Sequence, residues 1–112
     1  MRGGVNMYRQ RDIILMPFPF SDLTLNKVRP ALIISNSNLE NDKICMLITS
    51  KESNDGIMIK KSDLESTLHL KSYVKPHRIF TISQNRIIKK INTISEEFHQ
   101  SLLKELNKIT KL

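Results

Sequence analysis

The sequence predicts a mainly β (α+β) fold: a small β-barrel with one C-terminal helix. Three observations lead there. The chain has 112 residues, one domain's worth, and a chain of that size buries about two-thirds of its unfolded surface, enough for a single core. Short Ile-rich runs, too brief for helices, recur between turn-forming residues through most of the sequence. Near the C-terminus the apolar period then lengthens to that of a helix.

Residues 1–10 are basic, polar and without periodicity, and are expected to form an extended or disordered lead to a domain spanning 11–112. Ile13 to Met16 is the first apolar run, ended by Pro17 and Pro19. Ala31 to Ile34 is the second, opened by Pro30 and closed by the polar stretch from Ser35 to Asp42. Ile44 to Ile48 is the third, and Gly56 starts a fourth strand over Ile57 to Lys60. Ser62 and Glu65 have the spacing of a capping box, which predicts one short helical turn. Lys71 to Ile82 reads as one or two strands interrupted at Pro76, and Arg86 to Ile91 as a further strand. Phe98, Leu102, Leu106 and Ile109 then follow helical spacing behind Ser95 as N-cap. Glu96 and Glu97 in the first turn, with Lys108 and Lys111 near the end, suit the helix dipole.

Composition excludes several classes of function. Only Gly56 remains beyond Gly3 and Gly4, so neither a dinucleotide fingerprint nor a P-loop fits. The single cysteine, Cys45, excludes an intrachain disulfide framework and a multi-cysteine zinc site. It lies inside an apolar strand and is expected to be buried and inert. The longest apolar run has five residues against the ~18 that span a bilayer. The basic start is not followed by an apolar segment, so no secretory signal is expected. A soluble, cytoplasmic protein without membrane contact is the expectation.

The charge is uneven. Lys and Arg number 18 against 11 Asp and Glu, a net +7. Between Glu65 and Glu96 there is no carboxylate, while Lys71, Lys75, Arg78, Arg86, Lys89 and Lys90 all fall in that interval, with His69 and His77. Scattered lysines usually form a solvated strand face. An interval of this length favours a surface that attracts a polyanion by counterion release.

The segment Asp12-Ile-Ile-Leu-Met-Pro-Phe-Pro-Phe-Ser-Asp-Leu, followed by Lys27-Val-Arg-Pro-Ala-Leu-Ile-Ile-Ser35, resembles the opening of the MazF/PemK-type toxin family. Leu47-Ile-Thr-Ser50, Phe80-Thr-Ile82 and the stretch from Ile87 to Ile94 continue the family's order, so the resemblance runs from about Arg11 to Leu106. It implies an SH3-like β-barrel with a C-terminal helix, a homodimer, and a metal-independent endoribonuclease acting on single-stranded RNA at short sequences. It also implies a cognate antitoxin whose extended acidic tail binds across the RNA groove. No cofactor and no metal are expected. Two positions depart from the family. Arg11 stands where a glycine is usual, and Lys75-Pro76-His77 stands where many members carry Arg-Pro-Asp.

Metal-free RNA cleavage needs a base for the 2′-hydroxyl, a proton for the leaving 5′-oxygen, and fixed donors for the crowded phosphorane. On the residues alone Arg29 reads equally as a surface side chain or as a fork for two phosphate oxygens; the resemblance selects the second. An unperturbed guanidinium is a poor proton donor, so electrostatic stabilisation is its expected role. Thr49 and Ser50 end an apolar strand, where a hydroxyl can cap the turn or donate to a phosphate. The resemblance assigns Thr49 to catalysis and Ser50 to RNA contact.

His77 is the best proton acceptor in the chain at neutral pH and the candidate base, with Asp22 in the loop after the first strand as an alternative base and RNA contact. Lys75, Arg78 and Lys27 are the further cations assigned to RNA. His69 and His99 are weaker candidates, His99 because it lies on the helix away from the site. Three scattered histidines lack ligand spacing for a metal. Phe18 and Phe20 are core or dimer-interface residues before they are base-stacking ones. Two rival readings exist: a non-catalytic basic barrel that holds nucleic acid or an acidic peptide, and a gyrase-inhibiting toxin of related fold.

Overall fold

The computed structural model describes residues 7–18, 27–67 and 71–111. Asp22, Phe20 and His69 lie outside the described residues. Among the described residues six strands occur: β1 (Asp12–Pro17), β2 (Val28–Ile33), β3 (Asp42–Thr49), β4 (Ile57–Met58), β5 (Tyr73–Ser83) and β6 (Lys89–Thr93). They form one antiparallel sheet in the order β4-β5-β3-β2-β1-β6, curled into a half-barrel. The α-helix among the described residues, α1, spans Glu96–Thr110.

The curl brings the two sheet edges together. The segment that follows edge strand β4 reaches the far end of the opposite edge strand, β6. Leu64 bridges Ile94, Glu65 N–H donates to the Thr93 carbonyl, and Ser95 N–H donates to that of Asp63. Asn92 seals the seam by exchanging two side-chain bonds with the Ser66 backbone. This seam covers part of both sheet edges.

Apolar residues cover both faces of the sheet. On one face Ile13, Leu32, Met46, Ile48, Val74 and Ile94 pack with Phe98 and Leu102 of α1. On the other, Ile14, Met16, Ala31, Ile33 and Cys45 pack with Ile82 and Ile87. Successive residues of a strand point to opposite faces, so unbroken apolar runs are what strands buried on both sides require. Each buried Ile, Leu, Val, Met or Phe among them contributes about 1.5–3 kcal/mol relative to exposure. Ser95 caps α1 as expected, its hydroxyl accepting from Phe98 N–H.

Several expected boundaries move. β2 begins at Val28 and carries Pro30 inside it; Pro30 lies opposite Leu15 of β1, and its missing N–H is tolerated on the other side because pairing with β3 starts only at Ala31. β4 stops at Met58, short of Lys60. The turn after it is a 3-10 turn over Lys61–Asp63, and Asp63, not Glu65, supplies the carboxylate that accepts from Lys60 N–H. Gln84–Arg86 forms a second 3-10 turn, so the last strand starts at Lys89 rather than Arg86. Ile109, placed on the core stripe by its spacing, is 51% exposed, because it lies in the last turn of α1, outside the packed stretch.

Candidate active site

β2 and β3 pair in the register Ala31↔Leu47, Leu32↔Met46 and Ile33↔Cys45. Continued by two residues, that register sets Arg29 opposite Thr49. The ladder ends before reaching them, and a hollow of about 390 Å³ opens there, lined by Arg29, Thr49, Ser50, Lys27 and Ser72. The sheet thus brings together four residues singled out from the sequence. Arg29 is half-buried and Lys27 exposed, and among the described residues no carboxylate pairs with either. The Thr49 hydroxyl accepts from Lys51 N–H at 3.1 Å. It therefore caps the turn, and its own hydrogen remains available to donate.

β5 pairs with β3 on the other side, with Thr49 opposite Tyr73 and Leu47 opposite Lys75. The next pair is Met46 with Ile79, so Pro76, His77 and Arg78 form an excess in β5 with no partner in β3. The expected interruption at Pro76 is thus a bulge within one continuous strand. Pro76 cannot donate to a ladder, and a bulge re-aims side chains. His77 and Arg78 turn into a second hollow of about 320 Å³, lined also by Phe18, Leu47, Ile79 and Phe80. Leu47 and Thr49 are two strand positions apart, roughly 7 Å. The two hollows are therefore neighbours, with Arg29 and Thr49 in one and His77 and Arg78 in the other. Phe18 and Phe80 meet edge to face, ring centroids 5.8 Å apart, the arrangement of packed aromatics.

Lys75 and His77 share a partner that the sequence reading missed. Lys75 Nζ lies 3.4 Å from one oxygen of Asp55, and His77 Nε2 lies 3.4 Å from the other. The pairing of Ile57 with Val74 and Met58 with Tyr73 explains it, because continuing that register puts Asp55 opposite Pro76, between Lys75 and His77. Ser53 donates to Asp55 Oδ1 at 2.7 Å. That bond, with Lys75 and His77, holds the Asp55 carboxyl below its ordinary value. Gly56 seats the loop closely on β5, since a Cβ there would stand 3.2 Å from that of Tyr73. The only sequence signal was the Asp-Gly turn at 55–56, which marks a turn but not what it faces.

The remaining candidates are structural. Cys45 is buried, and burial pushes its thiol up to about 12, so it stays protonated and unreactive. His99 lies on the buried face of α1, with Phe98 and Leu102. Among the described residues no group of His, Cys, Asp and Glu is arranged to hold a metal, and no helix is long and apolar enough to cross a membrane.

Residues 9–110 match the profile of a family described as PemK-like, MazF-like toxin of type II toxin-antitoxin system. No curated protein sequence matches. Among solved structures, the chain is similar to an endoribonuclease in complex with its cognate antitoxin from a mycobacterial species, at 14% identity and a TM-score of 0.73, over 94% of this chain and 96% of that one. It is also similar to the Mycobacterium tuberculosis toxin MazF-mt6, at 17% identity and a TM-score of 0.70, over 91% and 98% of the two chains. The MazE-MazF complex of Deinococcus radiodurans is a further neighbour, at 10% identity and a TM-score of 0.68, over 95% and 98%.

Proposed function

Because the chain belongs to the PemK-like, MazF-like toxins of type II toxin-antitoxin systems, we propose that its twin hollows form the reaction centre of a metal-independent endoribonuclease that cuts single-stranded RNA. The observation that carries this reading is the meeting of Arg29 and Thr49, from two strands, in one basic hollow with no described carboxylate to neutralise it. Arg29 grips the scissile phosphate and stabilises charge as the phosphorane forms. Thr49 donates its hydroxyl hydrogen to a phosphate oxygen, while the turn it caps keeps that hydroxyl in place. His77 takes the 2′-hydroxyl proton. Ser50, Lys27 and Arg78 hold flanking phosphates, and Asp22 keeps the loop contact assigned to it from the sequence. The partners in this reading are an antitoxin with an extended acidic tail and a second copy of the chain. The compartment is the cytoplasm.

The test is incubation of the purified protein with a varied set of single-stranded RNAs in EDTA. Cleavage is expected, with 2′,3′-cyclic phosphate and 5′-hydroxyl ends. Arg29→Ala and Thr49→Ala should each lower kcat by about 100-fold or more with the barrel still folded by circular dichroism. Salt-sensitive RNA binding without cleavage would instead identify a non-catalytic basic module.

A further inference from the structure

Asp55 has no place in the mechanism just given, yet its carboxylate lies beside His77, the proposed base. Each of its oxygens is committed. Oδ1 accepts from the Ser53 hydroxyl and faces Lys75 Nζ, and Oδ2 faces His77 Nε2. The loop carrying it is anchored by a Gly56 N–H bond to the Ser53 carbonyl and by the close fit of Gly56 on Tyr73. An exposed ion pair of this kind adds little to stability. Its geometric effect on the imidazole is larger. A carboxylate beside Nε2 electrostatically favours the hydrogen on that nitrogen and leaves Nδ1 as the acceptor of the neutral ring.

We propose that Asp55 is a positioning residue, which holds His77 in the Nε2–H form and so makes Nδ1 the atom that removes the 2′-hydroxyl proton. The inference rests on the reading of the chain as an RNA-cleaving enzyme. In the step it serves, the 2′-hydroxyl proton passes to Nδ1 as the O2′–P bond forms. The P–O5′ bond breaks, and the 5′-oxygen leaves with a proton from solvent water. Asp55 accepts no proton. It stabilises the imidazolium that forms, and Lys75, gathered on the same carboxylate, keeps that carboxylate charged.

Steady-state cleavage and 15N NMR of the imidazole test this together. In the wild-type protein His77 is expected to show the Nε2–H tautomer when neutral. Asp55→Asn should lower kcat by about tenfold or more, leave KM within about twofold, and abolish the tautomer preference, because an amide can turn its NH2 towards Nε2. Asp55→Glu should recover part of kcat. The double variant Asp55→Asn, His77→Asn should be no slower than His77→Asn alone. An unchanged kcat, or a lower KM as the sole effect, would reduce Asp55 to an internal counterion and overturn the proposal, as would additive losses or evenly mixed tautomers in the wild type. If the wild-type protein cleaves no RNA, the enzymatic reading fails by itself, and the tautomer measurement still decides whether Asp55 orients His77.

Discussion

Arg11 adopts φ 80°, the left-handed region where a side chain is strained and glycine is not. This is the position at which the resembling family carries glycine. What holds arginine there is visible in its contacts. Its backbone N–H donates to the Ile33 carbonyl, its carbonyl accepts from Ile94 N–H, and its guanidinium donates to the Ile94 carbonyl. Arg11→Ala keeps the strain and loses the side-chain bond, so a loss of about 1–2 kcal/mol is expected. Arg11→Gly loses the same bond but relieves the dihedral, recovering about 1 kcal/mol. Thermal unfolding should rank glycine above alanine.

His99 makes a prediction in pH. Burial first, and then the Arg11 guanidinium, lower its pKa below the ordinary 6.5. The unfolded chain therefore binds a proton more readily than the folded one, and stability falls as pH drops below about 6.5. Urea midpoints at pH 7.5 and 5 should differ less in His99→Gln than in the wild type. At this scale the sequence singled out Arg29 and Thr49 only through the family resemblance, since on the local residues alone each also reads as an ordinary surface side chain or turn cap. Asp55 was not singled out, because its role depends on the register of a two-residue strand.

Helix α1 was legible in nearly full detail, since its apolar spacing, its Ser95 cap and its acidic first turn agree. Ser95→Ala should cost about 1 kcal/mol, and Leu102→Ala, which empties a fully buried site, about 2–5 kcal/mol; both are measured by denaturant unfolding. The short strands were legible as elements but not in their bounds. Ile87 and Ile88 look like strand residues, yet Ile87 is buried in the core while following a 3-10 turn. Propensity records that they are apolar; only packing decides which backbone delivers them. The continuity of β5 through Pro76 was hidden for a similar reason, since a bulge is invisible until both strands of the pair are known.

For the whole molecule, the excess of positive charge predicts behaviour rather than fold. Lys27, Arg29 and Arg78 line the two hollows without a described carboxylate partner. Engagement of about three phosphates by single-stranded RNA would give a slope of about −2 in log affinity against log salt. Arg78→Ala should flatten it by about 0.7, as fluorescence anisotropy across a salt series would reveal. The barrel itself was legible from the strand count and two-faced apolar runs. Its closure was not, because the seam between residues 61–67 and β6 is made mostly by backbone groups and one asparagine side chain, which leave little trace in hydropathy.

The three-residue excess in β5 also bears on how such a chain can change over time. Pro76, His77 and Arg78 answer to no partner in β3, so substitutions at 77 and 78 leave the strand alignment on either side untouched. That tripeptide behaves as an interchangeable fitting on a fixed chassis. In the reaction proposed above, swapping His77 for another proton-handling group would alter the acid–base design while the sheet, the helix and the arginine–threonine pair stay where they are.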